Sequence, residues 1–226
     1  MALPSDRTSA LLFWHAPRAD AGPFTGLITP DHAGAGPVWG GVLDRSVIDE
    51  QLPVALPPGT PRVVVHSVAL DAGAAGGDDA ESSFAAWGPA GRAAFERACA
   101  RVSGWAARAG VAVCVRPRAG GALSDIPSCL TFLKHNAGTP LRILLDPLDL
   151  LAPDMLTRAP EHLERIGSSL IGVPGLSAVV LPPPKDTSVI LAASLRPLAA
   201  LAIETGTPVI VPASAGVPWA QELGVA

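Results

Sequence analysis

The run Leu141-Arg-Ile-Leu-Leu-Asp-Pro-Leu-Asp-Leu-Leu151 is apolar almost without interruption until it breaks at Asp146-Pro147. Continuous rather than alternating apolarity marks a strand covered on both faces, as in a parallel sheet. Four more runs share that pattern: Arg62-Val-Val-Val-His66, Val111-Ala-Val-Cys-Val-Arg116, Leu176-Ser-Ala-Val-Val-Leu181 and Pro208-Val-Ile-Val211. Between them the apolar period changes from strand to helix.

Pro89 to Gly110 sets Phe95, Ala98, Val102 and Trp105 on one helical face, with Pro89 in the first turn and Gly110 as the C-terminal cap. Ser124 to Asn136 opens on the caps Ser124 and Asp125, and its spacing predicts Leu130 and Leu133 inward. Pro153 to Leu170 reads as a helix divided at Pro160. Thr187 to Thr205 reads as a helix that Pro197 either kinks or restarts, ended by Gly206. Four of the runs end at residues 116, 146, 181 and 211, a step of about 30–35 residues that suits a barrel or a doubly wound sheet. Spacing alone does not choose between them.

Residues 1–60 are different. They are rich in Pro and Gly and hold no convincing amphipathic helix. Leu11-Leu-Phe-Trp14 and Gly26-Leu-Ile-Thr29 read as short strands, and Val38-Trp-Gly-Gly-Val-Leu43 as a weaker one. The expected organisation is one domain over residues 1–226, irregular to residue 60 and regular from residue 61.

Composition narrows the function classes. The 226 residues are 49% hydrophobic and 16% charged, which argues against disorder for most of the chain. Net charge is −4 and the arginines are scattered, so nucleic acid is not an expected partner. No apolar stretch reaches membrane-spanning length, no signal peptide is read at Met1–Arg7, and a cytoplasmic location is expected. Cys99, Cys114 and Cys129 lack C-x-x-C spacing and suggest neither a disulfide framework nor a zinc site; Cys114 reads as a small core residue. Nucleophile elbows, Walker loops and dinucleotide fingerprints are absent.

From about Pro61 to Pro212 the chain resembles the sugar phosphate isomerase/epimerase group, the xylose isomerase-like TIM barrels. The residues that carry the resemblance are Leu141–Leu151 as a sixth strand, Arg62–Ser67 as a fourth strand ending in His, and Gly110–Pro117 as a fifth. The resemblance implies a (β/α)8 TIM-like barrel whose N-terminal third is degenerate or incomplete. It also implies a divalent-metal site at the C-terminal mouth, and there His66 and Asp146 match the family pattern. Arg116 stands where the family has a strand-five Glu, and Asp149 where it has a strand-six His. The seventh run has no His and the eighth no Glu. A cation in a carboxylate's place repels a metal, so the site is expected to be lost or weakened, with no cofactor; Mn, Mg or Zn would be the metal if the chain is active.

Each candidate carries two readings. Asp146 and Asp149 end a strand, where barrels keep their chemistry, and form an acid–base or metal pair; equally, Asp146-Pro147 starts a turn and Asp149 caps the segment after it. His66 is a ligand, a proton donor or a hydrogen-bonded structural group. Arg116 and Arg118 either clamp an anion or, for Arg116, pair with Asp146 or Asp149 in place of the lost metal. Lys185 and Asp186 are candidate remnants of a family Lys-Asp pair, with Asp186 alternatively a helix cap. His15 and His32 can serve the mouth or ordinary turns, and His135 and His162 are expected to be solvated.

Three functions follow. The first is a divergent isomerase/epimerase-like barrel without its full metal site, non-catalytic or altered, binding a small sugar or sugar phosphate. Asp146 and His66 would be its catalytic pair, and Arg116, Arg118, Asp149 and Lys185 its binding residues. The second is an active metal-dependent isomerase or epimerase that uses Asp146, Asp149 and His66 as ligands. The third is a structural or partner-binding barrel, including self-association, with Trp14, Trp39, Trp87 and Trp219 at an interface.

Overall fold

The computed structural model describes residues 11–16, 25–30, 32–33, 38–47, 52, 56, 59–67, 88–183 and 189–225. Lys185, Asp186 and Trp87 lie outside these residues. All five apolar runs of the regular part are strands: β4 Arg62–His66, β5 Ala112–Arg116, β6 Leu141–Leu145, β7 Leu176–Val180 and β8 Val209–Pro212. The N-terminal part supplies β1 Leu11–His15, β2 Gly26–Thr29 and β3 Gly40–Ser46. The eight close into a barrel in chain order, with β1 parallel to β8 through Leu11↔Val209 to Trp14↔Pro212.

The barrel is not eight parallel strands. β2 runs antiparallel to both β1 and β3, while every other neighbouring pair is parallel. This departs from the expected (β/α)8 pattern, and the reason is connective. Parallel neighbours need a crossover of a dozen residues or more, usually a helix, whereas antiparallel neighbours need only a turn. Reversing β2 lets three strands form before residue 47, and among the described residues the first helix is α1, Pro89–Ala109.

The helices follow from β4 onward: α1, α2 Ile126–His135, α3 Ala159–Leu170, α4 Val189–Glu204 and α5 Gly216–Leu223. Gly110 caps α1 at φ 68°. Asp125 caps α2 by accepting from the Ser128 backbone N–H at 2.7 Å, and the Ser128 hydroxyl answers toward the cap. Pro160 sits in the first turn of α3, so the expected division becomes a 3-10 helix, Pro153–Arg158, followed by α3. α4 continues through Pro197 rather than restarting there.

Two apolar clusters hold the fold. Inside the barrel lie Leu12, Ile28, Val42, Val64, Cys114, Leu144, Ala178, Val180 and Ile210, so every strand contributes and the lumen is filled. Outside, Val63, Val65, Val113, Val115, Ile143 and Leu145 meet Val102, Phe132, Leu133 and Leu163 of the helices. Cys114 is the core residue it was expected to be, and all three cysteines are buried and free. Leu130 is a correction: it is 38% exposed, because α2 buries Cys129, Phe132 and Leu133 instead. Among the described residues no helix is long and apolar enough to cross a membrane.

The contrast between these leucines is measurable. Leu144→Ala empties part of the filled lumen and should cost about 2–5 kcal/mol in urea unfolding. Leu130→Ala, on the solvent side of α2, should cost about 0.5 kcal/mol or less.

Candidate functional site

Side chains alternate across a strand, so a residue two positions beyond a lumen residue also faces the lumen. Trp14 follows Leu12, His66 follows Val64, Arg116 follows Cys114 and Asp146 follows Leu144. These four therefore hold inward positions at the C-terminal mouth. His66 and Arg116 are also paired in register across β4 and β5.

Arg116 organises the mouth. Its Nη2 donates to Asp146 Oδ2 at 2.6 Å, and its Nε lies 2.8 Å from Asp149 Oδ2. The Nε–H is not aligned for a hydrogen bond, so the Asp149 contact is an ion pair alone. The guanidinium carbon stands 5.3 Å from the centre of the Trp14 ring, within cation–π range. Asp146 is engaged on both sides, since its Oδ1 accepts from the Leu148 backbone N–H at 3.1 Å. The turn reading and the ion-pair reading of Asp146 are thus both realised. For Asp149 the expected capping role gives way to the ion pair, and its backbone carbonyl accepts from Ala119 N–H at 2.7 Å.

Side-chain exposures are 3% for Asp146, 16% for Arg116 and 31% for Asp149, so the outermost group is the second carboxylate. Burial pushes the Asp146 carboxyl up to about 6; Arg116 opposes the shift and Asp149 adds to it.

The loop after β5 is tied to its neighbours. Arg118 N–H donates to the Leu123 carbonyl, Gly121 N–H to the Arg118 carbonyl, and Ser67 N–H to the Arg116 carbonyl, each at 2.9 Å. Gly121 passes so close to β4 that a Cβ there would sit 2.1 Å from the Ser67 carbonyl oxygen. The Arg118 side chain is exposed and pairs with no carboxylate among the described residues, so it does not join the cluster.

Other candidates fall elsewhere. His15 Nε2 lies 3.1 Å from the Thr29 hydroxyl, and the His32 and Phe13 rings meet edge-to-face with their centres 5.1 Å apart. Phe13 belongs to the outer cluster, so both histidines sit outside the barrel and not at the mouth. His135 is exposed as expected, and His162 is half-buried. Lys185 is outside the described residues. Of the tryptophans proposed for an interface, Trp219 is buried and donates to the Leu181 carbonyl at 2.8 Å, while Trp14 and Trp39 pack on the lumen cluster.

The residues present do not fit the divalent metal that the family resemblance implies. Among the described residues no three His, Cys, Asp or Glu side chains come together as a ligand set. Asp146 and Asp149, the two carboxylates expected to serve with His66, are both taken by a fixed positive charge. Trp14 was missed as a site residue, although its place two residues after Leu12 carries the signal.

The fold and mouth together define a closed eight-stranded α/β barrel with an arginine–dicarboxylate cluster at its C-terminal end. No family model matches the chain, and no curated protein matches it. Among solved structures, apo 3-keto-D-glucoside 4-epimerase (YcjR) from E. coli aligns with 73% of this chain and 64% of its own, at 14% identity and a TM-score of 0.41. The aligned part spans less than two-thirds of that epimerase, and a likeness this low carries no functional weight.

Two outcomes follow from the geometry. Between about pH 4 and pH 6 the folded chain keeps a proton on Asp146 that the unfolded chain has released, so this group's stabilising contribution is full below pH 3.8 and is lost as pH rises through about 6. Thermal unfolding of Asp146→Asn should lack that decline, and identical pH profiles for wild type and variant would contradict the assignment. Gly121→Ala forces β4 and the β5 loop apart and should cost about 1–3 kcal/mol in urea unfolding.

Proposed function

We propose that this chain is a divergent relative of the sugar isomerase/epimerase barrels that binds a neutral sugar or polyol at its mouth without a divalent metal. The observation that carries this reading is the Arg116 guanidinium in contact with both Asp146 and Asp149. A divalent cation at those carboxylates would face a unit positive charge a few ångströms away in a partly buried site, which is strongly unfavourable.

Charge also selects the ligand. With Asp146 ionised, one guanidinium faces two carboxylates and the cluster is net negative. A phosphate would have to compete with both carboxylates for Arg116, whereas a neutral polyol does not. Its hydroxyls can donate to the accessible Asp149, and its C–H face can lie on the half-buried Trp14 ring. Binding is favoured over proton transfer because both Asp146 oxygens are engaged and the side chain is 3% exposed.

Calorimetric titration with neutral monosaccharides and polyols, their phosphates and MnCl2 tests this. Saturable binding of a neutral sugar is expected, weakened about tenfold or more in Asp149→Ala through loss of a charge-assisted hydrogen bond. Saturable Mn2+ binding that Asp149→Ala removes, with no sugar response, would replace this reading with a metal-dependent one.

A further inference from the structure

The opposite end of the barrel holds a second charged cluster. Arg62 and Arg142 stand two residues before the lumen residues Val64 and Leu144, so both take inward positions at the N-terminal rim. They flank β5, where Arg62 is paired with Ala112 and Arg142 with Cys114. The β5 residue paired with Arg62 is thus a small alanine.

Both cations are half-buried, and neither has a carboxylate partner among the described residues. The chain carries 20 acidic residues against 16 basic ones, and it sets carboxylates beside Arg116, Arg158 and Arg196. Two uncompensated like charges at one partly buried rim are unfavourable unless an anion joins them.

The groups are also arranged for a ligand. Arg62 is steadied by Trp39, with its guanidinium carbon 4.4 Å from the ring centre. Arg142 uses Nη1 on the carbonyls of Thr139 and Leu141, the latter at 2.7 Å, which leaves Nε and Nη2 to donate. Across the lumen the Cys114 thiol donates to the Ser177 hydroxyl at 3.4 Å, so the Ser177 proton is free for a further acceptor. Burial raises the Cys114 thiol, and the Ser177 hydrogen bond, Arg62 and Arg142 oppose the rise, so both cations lie within electrostatic reach of that one sulfur.

We propose that the N-terminal end of the barrel is a small-oxyanion site in which Arg62 and Arg142, with the Ser177 hydroxyl, bind a phosphate group, either inorganic or carried by a phosphate monoester. Guanidinium forks match the oxygens of such a group and bind it with charge-assisted hydrogen bonds. This site is separate from the mouth and does not depend on the sugar-binding reading.

The test is a titration of the full chain with inorganic phosphate, a sugar monophosphate and the parent sugar, each matched for ionic strength with NaCl. It is followed by thermal shift and by 31P line broadening. Both phosphates should bind saturably, the free sugar should give no response that Arg62→Gln changes, and the tighter phosphate identifies the source. Arg62→Gln should weaken phosphate about tenfold or more, and Arg142→Gln should do the same. Arg62→Lys, which keeps the charge but loses the fork and the stack, should fall between wild type and Arg62→Gln and guards against a folding defect. Phosphate binding unchanged in Arg62→Gln and Arg142→Gln overturns the proposal. So does phosphate binding lost only in Arg116→Gln, which would move the anion to the other mouth.

Discussion

The mouth depends on one guanidinium. Arg116 joins strand β5 to the end of strand β6 and to the turn beyond it, because Asp146 directly follows β6 and Asp149 lies in that turn. Asp146 is buried and would be costlier still as an unpaired carboxylate; Arg116 offsets part of the burial cost, which still leaves its carboxyl raised. Trp14, from β1 on the other side of the ring, supplies the face on which the cation rests. One side chain thus links three strands and fixes the chemical character of the mouth. The same cation that neutralises the buried Asp146 also reaches the more exposed Asp149, so both carboxylates face one positive charge.

Much of the fold was legible because burial on two faces leaves a plain trace. β4 and β2 match their apolar runs end for end, and the other strands fall within a few residues. The helices were legible through Pro89, Asp125, Pro160 and Gly206, each of which acts locally on the backbone. The direction of β2 was not legible. Gly26-Leu-Ile-Thr29 reads the same whichever way it runs, and orientation is set by the partners it meets. Leu130 was misplaced because α2 turns Cys129 and Phe132 to the core, and a short helix of mostly apolar residues can be phased two ways by period alone.

The site was legible in part for a similar reason. Position along a strand is a one-dimensional property, and it correctly brought Arg116 beside Asp146 and Asp149. His15 was ambiguous because inside and outside differ by a single residue of register, and His32 because it lies in a turn beyond β2. His15 is one residue past Trp14 and so belongs to the outer surface, where Thr29 receives it. The near approach of Gly121 to Ser67 could not be read at all, since it joins segments far apart in the chain.

The reversed second strand has an architectural consequence. In a barrel of parallel strands every strand leads into a loop at one end only, so elaboration accumulates on that side. Here the chain leaving β1 turns at the mouth, and the chain leaving β2 turns at the floor before Trp39 enters β3. The floor of this barrel therefore receives the β2-to-β3 connection, which joins antiparallel neighbours and needs no crossover. Lengthening or recomposing that connection would reshape the underside of the molecule and leave the helical shell untouched, so the two openings can diverge independently.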